Sequence, residues 1–491
     1  MVGFWFAKSP INRYNLFMKL YNTLGREKQE FKPLKKGKVL MYHCGPTVYW
    51  TQHIGNMRGM VMADLIRRSF EYQNYQVKFV RNYTDVGHLT SDSDTGEDKM
   101  ERAAKRDNLS PDQIAEKYIK IFETDTQELN IQEPNFKPRA TQMIPEIIAM
   151  VQTLLDKGFA YATDLAVYFD ISKAKDYTKL SGQKMEKNIA DAGKGDVSDD
   201  QKKNSADFAL WFFKAGVHEQ ALQFWPSPFH SGLVENGNGF PGWHIECSAM
   251  IKKFLGDTID IHMGGIEHVP VHHTNEIAQS EAANGVEFVR YWLHNEHLTV
   301  DNKKMAKSEG TSYALADVKE KGFSPMALRY FFLSAHYRSK QNFTWESLEA
   351  SKTAYEKLTN FLNEKQIDNS NITDYGLRIT DYQNNFISFI TDDFNIPATL
   401  AMLWEIIKDN VLPYSEKKKL LLDFDKVWGL CLDNIKPKEN IVPENILELA
   451  NKRQSARENK DWQKADQLRQ QVEKLGYKIK DQNKGFDLIK L

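Results

Sequence analysis

The sequence predicts an α/β domain built on a parallel sheet, followed by an α-helical C-terminal half. Three short apolar segments, at residues 39–42, 77–80 and 259–261, each lead into a glycine-containing or polar turn and then into a helical pattern. Repeated strand–turn–helix units favour a doubly wound sheet, which binds ligands at the carboxyl ends of its strands. After about residue 350, helical periodicity and charged faces dominate.

The elements follow in order along the chain. The first helix comes directly after the first strand, as indicated by apolar residues close to helical spacing at Met57, Val61, Leu65 and Phe70. A long insertion, residues 125–235, separates the second strand from the third. It contains a polar stretch, residues 187–207, that we expect to form an exposed loop. Proline residues punctuate the helical half, which we expect to break near residues 435–445.

The composition is typical of a water-soluble enzyme. With 65 Lys and Arg against 66 Asp and Glu, the formal net charge is −1, which excludes a simple polycationic nucleic-acid binder but not a local basic face. No apolar run approaches the roughly 18 residues that span a bilayer, so we expect no membrane association. Three cysteines cannot form a disulfide framework, which favours the reducing cytoplasm. Residues 1–18 are interpreted as a tail ahead of the domain.

Two motifs have the residue types that bind phosphate. His53, Gly55 and Asn56 lie where the first strand leads into the first helix, and a helix N-terminus attracts an anion. A capping turn with an incidental histidine would give the same residues. Lys304 and Lys307 follow the last strand-like segment and can both approach a polyphosphate as point charges. An exposed basic turn is the alternative for this second motif.

A candidate metal site begins with His272 and Glu276. Positions i and i+4 share one face of a helix, so both side chains can reach one metal ion, although such a pair is more often a surface pair. Cys247 and Cys44 lie about 200 residues apart, a separation that does not establish whether they meet. A shared crevice at the strand ends would bring them together. Cys431, in an apolar helical neighbourhood, is predicted to belong to the core.

With these residues in view, the chain resembles the class I aminoacyl-tRNA synthetases. Residues 53–56 stand in the place of that family's HIGH motif, and residues 304–308 stand in the place of its KMSKS motif. Asn56 replaces the second histidine, and Ala306 replaces the first serine. The segments CGPTVY, GWHIECSAM and HHTNEIAQSEAANG are similar to signatures of the cysteinyl-tRNA synthetases, and the similarity extends from about residue 20 through nearly the whole chain.

The resemblance implies an activity and a set of ligands. It implies ATP-dependent ligation of L-cysteine to tRNA(Cys) through cysteinyl-adenylate, with Mg²⁺ accompanying ATP and one zinc ion per chain selecting the thiol. The implied zinc ligands are Cys44, Cys247, His272 and Glu276. The implied catalytic residues are His53, Asn56, Lys304 and Lys307, and ATP would also contact Gly55, Glu267 and Ser308. Glu267 stands where the family often has Asp.

Thr84 and Trp243 are implied to hold the substrate cysteine, Trp243 through a cation–π contact with its ammonium group. A core position is the alternative for Trp243. The resemblance further implies that Arg457, Trp462 and Asp466 read the tRNA anticodon, whereas Trp462 also fits the apolar stripe of its own helix.

The resemblance also implies a domain order. We expect an N-terminal tail (1–18), a Rossmann-like catalytic domain in two halves (19–124 and 236–300) around a connective insertion (125–235), a KMSKS loop and stem-contact region (301–355), a helical bundle (356–434) and an anticodon-binding domain (435–491). We expect a cytoplasmic monomer. Two alternatives stay open: a cysteine ligase that acts on an amino sugar, as in mycothiol synthesis, and a non-catalytic RNA-binding paralogue.

Overall fold

The computed structural model describes residues 17–87, 89, 98–183, 199–305, 310–364, 375–434, 443–481 and 485–490. Most of the predicted tail, most of the predicted 187–207 loop, most of the predicted break at 435–445, and the motif residues Ala306, Lys307 and Ser308 lie outside the described residues. The chain divides into two compact units, Met1–Asp433 and Asn434–Leu491.

The described strands of the first unit are β1 (Lys19–Asn22), β2 (Glu27–Glu30), β3 (Lys38–His43), β4 (Gln76–Arg81), β5 (Ala160–Ala162), β6 (Ala166–Phe169), β7 (Phe208–Phe213), β8 (Gly239–Pro241), β9 (Ile259–Gly265), β10 (Val289–Asn295), β11 (Leu298–Val300), β12 (Lys303–Lys304) and β13 (Gln341–Phe343). Its described α-helices are α1 (Ile54–Tyr72), α2 (Lys99–Asp107), α3 (Pro111–Glu128), α4 (Ile144–Asp156), α5 (Trp243–Phe254), α6 (His272–Asn284), α7 (Leu315–Glu320), α8 (Pro325–Leu333), α9 (Trp345–Asn363), α10 (Gly376–Thr391), α11 (Ile396–Lys408) and α12 (Tyr414–Trp428). The second unit contains α13 (Glu444–Glu458), α14 (Trp462–Lys474), β14 (Tyr477–Asp481) and β15 (Phe486–Lys490).

A four-stranded parallel sheet forms the centre of the first unit, in the spatial order β10-β9-β3-β4. Most residues of β3, β4 and β9 are buried, as expected for parallel strands covered on both faces. Helix α1 connects β3 to β4, and α6 connects β9 to β10, so strand–helix–strand units build the sheet. The predicted fold class is therefore confirmed.

The insertion has a sheet of its own. Strands β5 to β8 pair antiparallel in sequence order, and the side chains of β7 are buried along its whole length. The helical part of the first unit is joined to α1 through Arg329, which is fully buried and donates to Asp64 Oδ2 at 2.6 Å and to the carbonyl of Trp428 at 2.8 Å. This ion pair fixes α8 against the helix that begins at the first phosphate motif.

The second unit is a helical pair with a β-hairpin. Helices α13 and α14 are followed by β14 and β15, which pair antiparallel. A small apolar cluster holds the unit together through Ile446, Ala450, Val472 and Ile479. The sequence predicts helices in this region, and the hairpin is an addition to that prediction.

Candidate active site

A cavity of about 670 Å³ opens where the central strands end. Parallel neighbours such as β3 and β9 present their carboxyl ends at the same edge of a sheet, so the segments that follow them meet there. The cavity is lined by ten of the predicted site residues: Cys44, His53, Gly55, Asn56, Thr84, Trp243, Cys247, Glu267, His272 and Lys304. Glu276 is fully buried beside it, hydrogen-bonded to its neighbours.

Cys44, Cys247, His272 and Glu276 form a compact buried cluster whose ligand atoms all lie within 4.8 Å of one another. His272 Nε2 lies 2.9 Å from Glu276 Oε1 and 3.7 Å from Cys247 Sγ. Cys44 Sγ lies 3.9 Å from the same carboxylate oxygen. Two sulfur atoms, one imidazole nitrogen and one carboxylate oxygen suit a borderline-soft ion that accepts four ligands, so these residues could hold a metal ion.

Local structure explains how three elements supply this cluster. Cys44 follows the last residue of β3, and Cys247 lies in the second turn of α5. His272 and Glu276 lie one turn apart at the start of α6. Strand pairing of β3 with β9, and packing of α5 against α6, therefore bring residues from distant parts of the sequence to one place.

A second group of possible ligands overlaps the first. Cys44, His262, His273 and Glu276 also place their ligand atoms within 4.8 Å of one another. His273 Nε2 lies 3.4 Å from Cys44 Sγ. One member of the second group, Cys44, lines the cavity. Three members of the first group line it, namely Cys44, Cys247 and His272. A metal ion held by the first group would therefore be the one that faces a substrate.

The electrostatics of the first group favour a cation. A hydrogen bond from Cys44 lowers the pKa of the Cys247 thiol to about 6, against the opposing effect of burial. Burial raises the pKa of Glu276, but His262 and His272 outweigh burial and hold it below its ordinary value. Burial also lowers the pKa of His272, and the Glu276 carboxylate more than reverses this, raising it to about 10. Burial raises the pKa of the Cys44 thiol. Without a metal ion the buried cluster therefore pairs the Glu276 carboxylate with a protonated His272, a positive charge that a bound cation would replace.

Two histidines that are not among the predicted site residues support the cluster. His262 Nε2 lies 2.8 Å from the second carboxylate oxygen of Glu276. His244 Nδ1 lies 3.0 Å from His272 Nδ1, on the side of the ring away from the other ligands. Such contacts orient metal-binding side chains. A histidine inside a strand that is otherwise apolar and buried, as His262 is in β9, is the signal that would have identified it.

The predicted cysteine-binding residues lie beside the cluster. Trp243 is half-buried, lines the cavity and stacks on the His272 ring, with the ring centroids 4.1 Å apart and the planes 20° apart. A fully buried core position, the alternative for Trp243, does not match this exposure. Thr84 is buried and donates its hydroxyl hydrogen to Glu246 Oε2 at 2.9 Å. Their contacts with a substrate stay a prediction.

The predicted phosphate-binding residues line another part of the cavity wall. His53 Nδ1 accepts a hydrogen bond from the backbone N–H of Asn56 at 3.2 Å, so the ring caps α1 and lines the cavity at once. A Cβ atom at Gly55 would lie 3.0 Å from His53 Nδ1 and 3.1 Å from Met305 Cε, a tight fit that favours glycine. Lys304 ends the β11–β12 hairpin, paired with Thr299.

Glu267 lies on the cavity wall, where its carboxylate is 3.7 Å from His297 Nδ1 and about half exposed. It follows Gly265, at which any Cβ atom would lie 2.3 Å from the Glu267 carboxylate oxygens. The glycine therefore leaves the space that this carboxylate occupies.

The sequence profile described as "tRNA synthetases class I (C) catalytic domain" matches residues 30–353, and the profile described as "Cysteinyl-tRNA ligase anticodon binding domain" matches residues 442–486. The chain is 42% identical to cysteine–tRNA ligase 1 of Burkholderia lata over 471 residues, which are 96% of each protein. The chain belongs to the cysteine–tRNA ligase family. The cysteine–tRNA ligases of Treponema denticola and Clostridioides difficile are 40% and 39% identical to it over 95% of its length, and over 98% and 99% of their own.

Solved structures of other tRNA synthetases have the fold of this cysteine–tRNA ligase family member. A Mycobacterium tuberculosis methionyl-tRNA synthetase in complex with methionyl-adenylate superimposes with a TM-score of 0.52 at 12% identity, covering 79% of this chain and 88% of that one. A leucyl-tRNA synthetase of Agrobacterium radiobacter, in a ternary complex, gives a TM-score of 0.58 at 11% identity, covering 82% and 84%. The shared architecture agrees with the α/β fold described above.

The second unit of this family member carries the three residues predicted to read the anticodon. Trp462 begins α14 and is 59% exposed, so it is not packed into the apolar stripe formed by Ala465, Leu468 and Val472. The stripe is therefore the wrong interpretation of Trp462. Arg457 forms an ion pair with Asp481, and Asp466 is exposed.

In the part of the chain that the structure describes, no helix is long and apolar enough to cross a membrane.

Proposed function

We propose that this chain ligates L-cysteine to tRNA(Cys) in two steps, with cysteinyl-adenylate as the intermediate and a zinc–thiolate bond as the means of selection. The observation that carries the proposal is the position of the Cys44–Cys247–His272–Glu276 cluster in the same cavity as His53. An enzyme that activates cysteine needs one group that distinguishes a thiol from a hydroxyl and another that binds phosphate. The two groups must lie no farther apart than the length of the substrate. Family membership supports the same reaction.

The donor set of the cluster fits zinc. Two thiolate sulfurs, an imidazole and a carboxylate are ligands that zinc commonly accepts, and the hydrogen bonds of His262 and His244 already orient two of these side chains. Bound there, zinc would supply a Lewis acid that accepts the substrate's thiolate as a further, exchangeable ligand beside the four side chains, a bond that the serine hydroxyl matches poorly. Trp243, stacked on His272, would place its indole face toward the ammonium group, and Thr84 would hold the same end of the substrate.

In the first step the cysteine carboxylate attacks the α-phosphate of ATP, a new C–O–P linkage forms, and pyrophosphate leaves. The protein's contribution is placement and charge stabilisation. His53 and Asn56 would stabilise charge on the α-phosphate, and Lys304 and Lys307 would attract the leaving pyrophosphate, for which Mg²⁺ is the expected counter-ion. Three further contacts with ATP are assigned to residues of the two motifs and the β9 turn: Gly55, Ser308 and Glu267.

In the second step a hydroxyl of the terminal tRNA ribose attacks the carbonyl carbon of the adenylate, and AMP leaves. We assign anticodon recognition to Arg457, Trp462 and Asp466. The exposed indole of Trp462 offers a face for stacking, and the arginine and aspartate offer hydrogen bonds to base edges. The profile match over residues 442–486 supports this assignment.

We keep the domain order given above as a proposal, with the anticodon-binding domain at residues 435–491. A cytoplasmic monomer is part of the same proposal, and the three free cysteines agree with a reducing compartment. The amino-sugar ligase is the second candidate function, because it would use the same cluster and the same phosphate motifs. The match of residues 442–486 to an anticodon-binding profile favours tRNA as the acceptor.

Two assays test the reaction. The first is cysteine-dependent ATP–pyrophosphate exchange, and the second is transfer of cysteine to tRNA(Cys) or to a glucosamine-containing acceptor. We expect exchange with cysteine and not with serine or alanine, and transfer to tRNA alone. A metal-loaded, folded protein without exchange would show that the chain is no such enzyme. Transfer to the amino sugar in place of tRNA would select the second candidate.

The metal assignment is tested separately with two cysteine variants. Cys247→Ser should lower the zinc content and the cysteine affinity together, because it removes one soft ligand from the cluster. Cys431→Ser is the matched control, since Cys431 is also a free cysteine but is not among the candidate ligands. Elemental analysis and equilibrium binding of cysteine measure both quantities. Undiminished cysteine binding by metal-free Cys247→Ser protein would contradict zinc-based selection.

A further inference from the structure

An exposed tryptophan lines the cavity without a place in the chemistry described so far. Trp50 lies on the loop between β3 and α1, and 38% of its surface is exposed. The guanidinium carbon of Arg106 lies 4.1 Å from its ring centroid. The Tyr118 ring is stacked parallel to the Trp50 ring, with ring centroids 6.4 Å apart and planes 18° apart, and its centroid lies 6.0 Å from the same guanidinium carbon. A large aromatic side chain is thus held in a fixed orientation at the wall of the cavity.

The cation beside Trp50 is itself held in place. Arg106 donates from Nη2 to the hydroxyl of Tyr118 at 2.9 Å and from Nε to Asp107 Oδ1 at 2.6 Å. The other oxygen of Asp107 accepts from Lys117 Nζ at 2.8 Å. Because these contacts orient the guanidinium plane, a ligand that stacks on the indole would meet a surface ordered in advance, which lowers the entropic cost of binding.

The helix that carries Arg106 is basic. Helix α2 contains two acidic residues, Glu101 and Asp107, and four basic ones: Lys99, Arg102, Lys105 and Arg106. Glu101 accepts a hydrogen bond from the backbone N–H of Leu222 at 2.7 Å, and Asp107 is paired as described above. Lys99 lines the cavity, whereas the other three basic side chains are exposed. Positive charge is thus presented next to the aromatic surface.

We propose that Trp50 and the basic face of α2 bind the unpaired 3′ end of the tRNA, with one base stacked on the indole and the phosphates facing Arg102 and Lys105. Proteins bind single-stranded RNA by combining aromatic platforms with basic side chains. The terminal ribose of tRNA must enter this cavity to accept cysteine, so a single-stranded polyanion has to cross its rim. The inference rests on the proposed function, because it takes tRNA as the acceptor.

The test compares two substitutions of similar apolar bulk. Trp50→Phe keeps a ring that can stack, whereas Trp50→Leu does not. The probes are a full-length tRNA(Cys) transcript and the same transcript without its last three nucleotides, and equilibrium binding of each is measured. A base–aromatic stack changes affinity roughly fivefold to 150-fold. We expect wild-type protein and Trp50→Phe to prefer the full-length transcript by at least about fivefold, and Trp50→Leu to lose this preference and to raise KM for tRNA by the same factor.

Steady-state ATP–pyrophosphate exchange identifies the ligand that the ring contacts. We expect KM for ATP to change less than about twofold in Trp50→Leu, since the adenylate is made before tRNA is needed. Phe136→Ala is the matched control, because Phe136 is 39% exposed and lies under the ammonium group of Lys78, away from the cavity. An unchanged preference for full-length tRNA in Trp50→Leu would overturn the proposal, and so would a raised KM for ATP, which would assign the ring to adenine. If wild-type protein charges tRNA normally, either result would overturn only the proposed stacking of the tRNA 3′ end on Trp50. The proposed function would then be unaffected.

Discussion

Arg58 offers the sharpest test of how the two phosphate motifs are held together. It lies in the second turn of α1 and is fully buried. Its guanidinium donates to Gln341 Oε1 at 2.9 Å and to three backbone carbonyls, those of Glu296 at 2.5 Å, His336 at 3.1 Å and Ser339 at 3.0 Å. One side chain therefore joins the helix that begins at the first motif to the segments that flank β11 and β13.

Replacing Arg58 by Met keeps the apolar stem and removes every donor. Each hydrogen bond to a charged group contributes about 1.5–3 kcal/mol, so the four contacts amount to roughly 6–12 kcal/mol gross. Burial works in the opposite direction, lowering the pKa of Arg58 to about 10, and relief of that penalty returns up to about 3 kcal/mol. We expect the free energy of unfolding to fall by about 3–5 kcal/mol, the usual loss when one partner of a buried charged network is removed.

Urea unfolding followed by tryptophan fluorescence measures the change, and ATP–pyrophosphate exchange measures its effect on the site. We expect KM for ATP to rise more than KM for cysteine, because Arg58 ties α1 to the segments that flank β11 and β13, and not to the Cys44–Cys247–His272–Glu276 cluster. Arg67→Met, on the same helix, is the control. Arg67 donates to Glu71, which is 30% exposed, and to the carbonyl of Glu133 at 2.7 Å, so with two contacts in place of four the loss should be smaller than in Arg58→Met, about 1–3 kcal/mol. A loss below about 1 kcal/mol in Arg58→Met, or equal changes in both KM values, would refute the reasoning.

Two further predictions concern the insertion and the second unit. Burial against Phe212 and Phe240 lowers the pKa of His218 to about 4, so its contribution to stability is present above the ordinary pKa near 6.5 and is lost as the pH falls through 6.5 toward 4. This loss in the free energy of unfolding is at most about 3 kcal/mol. The free energy of unfolding of His218→Met, measured against pH, should lack this decrease. A pH profile identical to that of the wild-type protein would contradict the prediction. Trp462→Ala should raise KM for tRNA roughly fivefold or more while pyrophosphate exchange stays unchanged; an unaltered KM for tRNA would exclude Trp462 from the tRNA contact.

The fold class was predictable because its signals are local. Apolar runs followed by glycine-containing turns and helical periodicity mark β3, β4, β9 and the helix after each. Strand β10 was missed, although it completes the sheet, because its polar residues Arg290, His294 and Asn295 obscure the apolar pattern. The insertion's sheet and the C-terminal hairpin were missed for a related reason, since short antiparallel strands take their stability from pairing partners rather than from their own sequence.

By itself the sequence determined the helical pairing of His272 with Glu276, the order of the two phosphate motifs, and the family resemblance that the comparisons confirmed. Tertiary structure alone decided that Cys44 and Cys247 lie within reach of that pair, and that His262 and His244 support it. The division has a physical reason. Helical spacing is set by the backbone of a few residues, whereas a contact across some 200 residues depends on which strands pair and which helices pack.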